Sequence, residues 1–182
     1  MASIIKANQL QDFGGNSIIT SDGAGNVTVN AAAMKNTPAF EAYLSSTQSV
    51  SDGVTTKVNI DTENFDTNNN FASSRFTPTV AGKYFVYGSV VGYAGAVTDL
   101  VANQAMIYKN GSYYAGGETN YNGNFIQRGY DTVSTIVEMN GSSDYVELYG
   151  YVNGNSGGGE FFYVQAGLAK CNLFGAYKLI GA

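Results

Sequence analysis

The residues best suited to bind a ligand or a metal ion lie in three polar stretches of this sequence. The first, 61–70, reads Asp-Thr-Glu-Asn-Phe-Asp-Thr-Asn-Asn-Asn. Its carboxylate and amide oxygens are the ligands that Ca²⁺ accepts at about six to eight positions. It lacks the ligand spacing, the central glycine and the final glutamate of an EF-hand loop. We interpret it as a solvated loop, leave calcium binding open, and predict no metal site and no cofactor.

The other two stretches are rich in glycine, asparagine and tyrosine. Residues 154–160 have no Lys-Ser or Lys-Thr after the glycines, so they do not form a phosphate-binding loop. Residues 113–124 have the composition of an adaptable binding surface whose tyrosines could stack on sugars. We predict both stretches as loops. A role in ligand recognition and a role as turn-rich connecting segments are both left open. The candidate ligand contacts are Tyr113, Tyr114, Tyr121 and Asn155.

The composition excludes most catalytic chemistry. With no histidine there is no Ser-His-Asp triad and no imidazole metal site. The single cysteine, Cys171, excludes an intrachain disulfide and a thiolate zinc cage. The spacing of the acidic residues in the sequence does not identify a pair that could act as the two catalytic carboxylates of a glycosidase. We therefore predict a non-enzymatic protein, and keep a polysaccharide depolymerase only as a remote alternative.

Charge and hydrophobicity restrict the partners. A net charge of −5 argues against a nucleic-acid partner. No apolar run approaches the roughly 20 residues that cross a bilayer, so we predict no membrane insertion. The first six residues contain no hydrophobic stretch typical of a signal peptide. We therefore expect synthesis in a cytoplasm and, if the protein acts outside, release by another route.

Hydrophobic alternation with a period of two dominates the chain, which predicts an all-β protein. A small hairpin is expected from strands 17–20 and 26–30 around an Asp-Gly-rich turn. We place a boundary near residue 36, which divides the chain into an N-terminal arm, 1–36, and a head domain, 37–182.

The strands of the head domain are expected at 39–45, 55–60, 75–79, 83–93, 104–108, 131–139, 145–152, 161–166 and 173–180. So many short strands indicate an antiparallel sandwich or jelly roll. Asn110-Gly111 and Asn140-Gly141 are expected to close hairpins.

Two of these strands, 83–93 and 145–152, are largely apolar on both faces. In a monomeric sandwich, each sheet has one solvent-exposed face, and strands with apolar residues on both faces are not expected. One aliphatic set belongs in the core, and the aromatic set then needs another partner. Tyrosine suits a protein interface because it offers a large area and a hydroxyl. We therefore predict a homo-oligomer, with a twisted and partly exposed sheet as the alternative. The predicted interface residues are Phe85, Tyr87, Tyr93, Tyr145, Tyr149 and Tyr151.

The segment 76–86, Phe-Thr-Pro-Thr-Val-Ala-Gly-Lys-Tyr-Phe-Val, resembles the signature of the complement component 1q globular head. The pattern departs from that family at Val86 and at Gly88. Three further segments resemble the family in the same order: 38–42, 140–148 and 174–180. The resemblance covers residues 37–182. It implies the jelly roll shared with tumour necrosis factor and assembly as a homotrimer.

The N-terminal segments 4–12, 16–23 and 35–40 resemble the leader of small virion proteins of tailed bacteriophages. Such proteins place a complement-type head behind a short β-rich attachment arm. An animal relative would carry a signal peptide and collagen repeats, whereas the glycines here show no three-residue period. The resemblance implies location on a virion, which explains surface exposure without secretion because virions leave by lysis.

Two functions follow as hypotheses. The first is a non-enzymatic virion protein: a homotrimeric capsid decoration or short tail appendage, docked on another virion protein through residues 1–36. The second is a receptor- or carbohydrate-binding module of a tail fibre that contacts a host-surface glycan through the loops 113–124 and 153–160. We predict the first function and keep the second as the alternative.

Overall fold

The computed structural model describes residues 7–30, 34–121, 126–156, 158–166 and 170–181. More than half of the described residues lie in β-strands, and turns and loops join these strands. The strands are β1 (Gln9–Gln11), β2 (Ser17–Ser21), β3 (Val27–Val29), β4 (Ala39–Tyr43), β5 (Gln48–Val50), β6 (Thr56–Lys57), β7 (Thr62–Asp66), β8 (Phe71–Ala72), β9 (Arg75–Phe76), β10 (Gly82–Tyr93), β11 (Leu100–Lys109), β12 (Ser112–Asn120), β13 (Arg128–Met139), β14 (Val146–Gly154), β15 (Glu160–Phe162) and β16 (Leu173–Lys178).

Two antiparallel sheets form a sandwich. The front sheet has the order β5-β15-β10-β16-β4-β7, and β13 pairs with the free side of β10. The back sheet has the order β12-β11-β14-β9-β8, and β6 also pairs with β14. The predicted all-β antiparallel sandwich is confirmed. Strands adjacent along the chain often belong to different sheets, as β13 and β14 do, so the chain crosses repeatedly between the two layers.

A separate three-stranded sheet, β1-β2-β3, lies at the N-terminus. The predicted hairpin is its β2–β3 pair, in which Thr20 is paired with Thr28. The third strand, β1, was not expected, because Gln9–Gln11 is too short to show alternation. Leu10 and Phe13 are exposed on this part of the chain. The boundary near residue 36 remains a prediction, and residues 1–6 and 31–33 of the arm lie outside the described residues.

The alternation of β10 separates a core face from an outer face. Tyr84, Val86 and Val90 are fully buried in the core, whereas Phe85 and Tyr87 point away from it and stay half-buried. Because successive side chains of a strand point to opposite faces, this split follows directly from the sequence pattern. The face assignment read from the sequence is confirmed.

The core is centred on stacked phenylalanines. The ring of Phe40 lies 4.4 Å from that of Phe76 and 4.7 Å from that of Phe71, both stacked, and 5.0 Å from that of Phe174 in an edge contact. Phe40 and Phe174 come from the front sheet, while Phe71 and Phe76 come from the back sheet. This cluster therefore joins the two layers.

The two Asn-Gly turns have different roles. Asn110 and Gly111 both have positive φ, 52° and 78°, as the tight hairpin turn between β11 and β12 requires. The hairpin predicted at Asn140-Gly141 is wrong, because β13 pairs in the front sheet and β14 in the back sheet. Asn140 Oδ1 instead accepts hydrogen bonds from the backbone N–H groups of Ser142 and Ser143, which folds a crossing loop between the sheets.

Candidate functional site

The six aromatic residues predicted for the interface lie on two different sheets. Phe85, Tyr87 and Tyr93 lie on the outer side of β10, in the front sheet. Tyr149 and Tyr151 lie on β14, in the back sheet. The core-facing residues of both strands belong to one hydrophobic cluster, so the two outer faces point in opposite directions. The expectation of one aromatic surface is therefore corrected.

The last of the six, Tyr145, ends the loop before β14. Its ring belongs to the back sheet side, since the guanidinium carbon of Arg75 on β9 lies 3.7 Å from the ring centroid. The set thus divides equally, with three aromatic residues on each side. Periodicity could not reveal this division, because it shows which face of a strand is buried and not which sheet the strand joins.

The outer surface of the front sheet continues across three neighbouring strands. In the strand register, Phe85 is flanked by Tyr177 on β16 and Ile136 on β13. Ile136 is 52% exposed, and Tyr130, further along β13, is 60% exposed. We call Phe85, Tyr87, Tyr130, Ile136 and Tyr177 the front face. Sequence analysis did not select Tyr130, Ile136 or Tyr177, although the alternation of β13 and β16 contained them.

Tyr87 is fixed in place within this face. A Cβ atom at Gly175 would lie 2.3 Å from the Tyr87 ring, so the absence of a side chain on β16 makes room for the ring. The Tyr87 hydroxyl donates a 2.8 Å hydrogen bond to Glu41 Oε2. Burial, assisted by Glu41, raises the pKa of the Tyr87 phenol above its usual range. The front face therefore has a rigid centre at Tyr87 and exposed apolar side chains around it.

The back sheet carries an aromatic and charged cluster. The rings of Tyr108 and Tyr149 stack at 4.0 Å, and Tyr113 meets Tyr108 edge-on at 6.2 Å. Glu147, which interrupts the aromatic pattern of β14, is only 3% exposed although it faces away from the core. Its Oε1 atom lies 2.7 Å from Lys57 Nζ and 3.0 Å from Arg75 Nε. Two cations thus share one buried carboxylate.

The four candidate ligand contacts do not form one site, and two of them are not on a loop. Tyr113 and Tyr114 lie on β12, which pairs with β11 along its whole length. The glycines at 116 and 117 suggested a loop, but Gly116 lies against Met106, where a side chain would collide. A shift in register leaves Tyr114 without a partner on β11, and its hydroxyl donates to the Ile136 carbonyl, whereas Tyr113 pairs with Tyr108.

Tyr121 and Asn155 lie at the other end of β11. Asn120 pairs with Ala102, and Gly154 pairs with Leu100, whereas Tyr113 pairs with Tyr108. The ring of Tyr121 packs against the core, and burial raises the pKa of its phenol. The remainder of the predicted loop, 122–125, lies outside the described residues. Tyr113 and Tyr114 are 59% and 44% exposed.

The first half of the acidic stretch 61–70 forms the strand β7 instead of the predicted solvated loop, and residues 67–70 form an exposed bend after it. Within the stretch, β7 pairs with β4. Its carboxylates bind the chain itself: Asp61 accepts from Ser45, and Asp66 accepts from the backbone N–H of Phe71 at 2.7 Å. Among the residues that the structure describes, no group of three or more His, Cys, Asp or Glu side chains is arranged to hold a metal ion.

The glycine-rich stretch 154–160 is held by two buried acids that sequence analysis missed. Asp99, 6% exposed, accepts hydrogen bonds from the backbone N–H and hydroxyl of Ser156 at 2.8 and 2.6 Å. Glu160, 1% exposed, accepts from the backbone N–H of Gly158. These acids organise the turn after β14. No sequence signal marks them, since each occurs as an isolated acid beside apolar residues.

A further acid, Asp131, is half-buried between the sheets. Its Oδ1 atom accepts the hydroxyl of Thr119, and it pairs in register with Val90, whose carbonyl accepts from Asn103 Nδ2 at 3.2 Å. Within the described part of the chain, Asp131 Oδ2 and Asn103 Oδ1 are buried acceptors without a hydrogen-bond donor. Burial raises the pKa of Asp131 above 3.8, and the hydrogen bond from Thr119 opposes this.

Asp131→Asn is expected to stabilise the protein more at neutral pH than at acidic pH. Because the folded-state pKa of Asp131 is raised, folding favours its protonated form, so its contribution to stability is lost as the pH rises above 3.8. Asparagine stays neutral and still accepts from Thr119. Urea unfolding of both proteins at about pH 3 and about pH 7 measures this. Equal differences in stability at the two pH values would contradict the prediction.

The sequence matches no protein-family model and no curated protein. Solved structures share the fold. Murine APRIL at pH 5.0 matches with a TM-score of 0.53 and 11% identity, covering 78% of this chain and 98% of that chain. Murine APRIL at pH 8.0 gives 0.53 and 10% over the same shares. The globular domain of zebrafish complement 1qA protein matches with 0.49 and 9%, covering 78% of this chain and 97% of that one.

The chain thus has a sandwich of the complement component 1q and tumour necrosis factor type. This confirms the fold that the resemblance implied. Identities of 9–11% show the fold alone. Among the described residues no helix is long and apolar enough to cross a membrane.

Proposed function

We propose that this protein is a non-enzymatic structural protein on the surface of a tailed-phage virion, where it forms a homotrimeric knob or decoration. The front face carries the proposal. Tyr130, Ile136 and Tyr177 are 60%, 52% and 37% exposed, and they surround the ordered rings of Phe85 and Tyr87. Exposed apolar side chains gathered on one face are typical of a protein interface.

The positions of the aromatic residues favour the front face alone as the trimer contact. A cyclic trimer uses a heterologous interface, in which one patch of each copy meets a different patch of the next. Two patches that point in opposite directions would stack copies in a line and would not close a ring. The front and back aromatic groups point in opposite directions, so they cannot be the two patches of one trimer interface. The front face then meets another part of the neighbouring copy, with Phe85, Tyr87 and Tyr93 in the contact.

The N-terminal arm is the proposed attachment to another virion protein. Within this arm, Leu10, Phe13, Val27 and Met34 are 56%, 110%, 61% and 52% exposed. The sheet β1-β2-β3 pairs with neither sheet of the sandwich. An exposed apolar arm beside a closed core suits docking on a second protein. The resemblance of this region to phage leaders supports the virion as the location, with synthesis in the bacterial cytoplasm.

The mass in solution and the location on particles test the proposal. Light scattering of the full chain is expected to give three times 19.2 kDa. Immunogold labelling of particles from a lysate that contains this protein is expected to place it on the capsid or at the tail, which also separates these two positions. A mass of 19.2 kDa would overturn the trimer. Unlabelled particles would overturn the virion role.

The second candidate function is binding of a host-surface carbohydrate, with no contact by nucleic acid or membrane. The cluster on the back sheet favours it, because Tyr113 is 59% exposed beside Tyr108 and two cations lie nearby. An aromatic ring next to charged and hydroxyl groups suits a saccharide. The two candidates are compatible, since a virion surface protein can also contact the host.

A further inference from the structure

A groove of about 540 Å³ opens on the back sheet, beside the tight turn between β8 and β9. Its wall contains two cations and several amides and hydroxyls, and no carboxylate lines it among the described residues. This is unusual in a chain of net charge −5. The polar residues used below are Lys57, Asn69, Ser73, Arg75 and Thr77.

The groove carries a net positive charge. Lys57 and Arg75 both contact the same atom, Glu147 Oε1, so two cations face one anion. Glu147 is almost fully buried, whereas the side chains of Lys57 and Arg75 are 27% and 43% exposed. The positive charge is therefore the part that reaches solvent. One unit of positive charge remains for a ligand.

Arg75 is oriented before any ligand arrives. Its guanidinium stacks on the Tyr145 ring, with 3.7 Å between Cζ and the ring centroid, and its Nε donates to Glu147 at 3.0 Å. Within the described part of the chain, its terminal nitrogens Nη1 and Nη2 make no hydrogen bond. These two nitrogens form the fork that binds a carboxylate through two parallel hydrogen bonds. The stack and the Glu147 contact reduce the entropy that such binding would cost.

Two more groups in the groove have hydrogen-bonding capacity to spare. The side-chain amide of Asn69 and the hydroxyl of Thr77 have no hydrogen-bond partner among the described residues. By contrast, Lys57 Nζ is used by Glu147 and by the Ser73 carbonyl at 2.9 Å. An amide and a hydroxyl beside a guanidinium match a ligand that carries hydroxyl groups as well as a charge.

The backbone around the groove adopts conformations that cost energy. Asn69, Ser73 and Ser74 have φ of 54°, 53° and 57°, in the left-handed region where glycine is the usual residue. Serine there costs of the order of 1 kcal/mol per residue. At Ser73 and Ser74 this conformation closes the two-residue hairpin turn between β8 and β9, in which Ala72 pairs with Arg75. Here it directs the Ser73 carbonyl to Lys57 and brings Asn69 to the groove.

We propose that this groove binds the carboxylate of an acidic saccharide, such as a uronic-acid unit of a surface polysaccharide. The Arg75 fork takes the carboxylate, and Asn69 and Thr77 contact the sugar hydroxyls. The single unit of positive charge matches a monoanion better than a phosphate dianion. The inference rests on the second candidate function and gives it a ligand class and a location. In this inference, one groove takes the place of the separate tyrosines as the site of saccharide binding.

Titration calorimetry at low salt tests the inference with a galacturonic-acid hexamer as the probe. The wild-type full chain is expected to bind it, and the neutral hexamer maltohexaose is expected not to bind. Arg75→Gln should weaken binding at least tenfold, because it removes the fork while Lys57 still neutralises Glu147. The chain has two arginines, so Arg128→Gln is the matched control, with the same change of charge on the other sheet. It should bind as the wild type does.

Further variants keep the inference falsifiable. Thr77→Val preserves shape and charge and should weaken hexamer binding several-fold without changing the urea midpoint. Equal losses for Arg75→Gln and Arg128→Gln would show attraction by overall charge and overturn the site. Binding of inorganic phosphate with higher affinity than the hexamer would overturn the ligand class. If the wild type stays trimeric but binds no hexamer, the groove inference fails, while the virion proposal and binding of a neutral carbohydrate at Tyr113 keep their own tests.

Discussion

Ile136→Asp is expected to convert the proposed homotrimer into a monomer of 19.2 kDa, measured by light scattering. Ile136 is 52% exposed in the protomer and lies next to Phe85 on the front face, so the change should leave the fold intact. In the trimer, the new carboxylate would be buried against apolar side chains without a partner. An unpaired buried charge costs several kcal/mol, which is enough to dissociate the copies.

Val97→Asp is the matched control. Val97 is 71% exposed in the turn between β10 and β11, away from the front face, so this variant should keep the trimer mass. If Ile136→Asp also keeps that mass, Ile136 is outside the contact and the front face loses its assigned role. If both variants dissociate, added negative charge is responsible and not the location of the residue.

Tyr87 is a less suitable probe, although it is the centre of the same face. Its ring lies against Gly175, and its hydroxyl donates to Glu41. Tyr87→Asp would place a second carboxylate near Glu41 and leave a gap over β16. The protomer itself would lose stability, and a change in mass would then have two explanations.

Phe40→Ala is expected to lower the free energy of unfolding by about 3–5 kcal/mol, the range for removing a large buried aromatic side chain. Phe40 is fully buried and touches rings from both sheets, at 4.4 Å to Phe76 and 5.0 Å to Phe174. The cavity would therefore open at the joint between the layers. Urea unfolding followed by circular dichroism measures the loss, at one protein concentration because assembly adds to apparent stability.

The control is Phe65→Ala, which removes the same side chain from β7, where it is 47% exposed. Its loss should be a small fraction of that at Phe40. Similar losses at the two positions would mean that the phenylalanine cluster does not join the sheets. Residual trimer at the unfolding midpoint would be visible as a dependence on protein concentration.

Local features of the fold could be predicted from the sequence, because they depend on neighbouring residues. The alternation from Tyr84 to Tyr93 predicted both faces of β10. The dipeptide Asn110-Gly111 predicted the hairpin between β11 and β12. The pairing of sheets could not be predicted in the same way. Nothing near Asn140-Gly141 shows that β13 and β14 diverge, since each strand is stabilised by partners far away in the chain.

The candidate site was predicted less well, for a related reason. Glu147 appears in the sequence as an interruption of an aromatic strand. Its role depends on Lys57 and Arg75, which precede it by 90 and 72 residues. Likewise, the glycines of β12 suggested a loop, because the packing of Gly116 against Met106 is not visible in sequence. The composition shows which side chains are available, but the groove can be recognised only once the positions of these side chains in the fold are known.

The opposite orientation of the front face and the groove has a consequence for avidity. In the proposed ring, each front face lies against the neighbouring copy, and a back sheet that points away from this contact would leave three grooves per trimer open to the surroundings. A saccharide polymer repeats its carboxylates, and several weak contacts held on one particle act at a high effective concentration. Millimolar affinity per groove would then suffice for firm but reversible adhesion, and short oligosaccharides would compete poorly with the intact polymer.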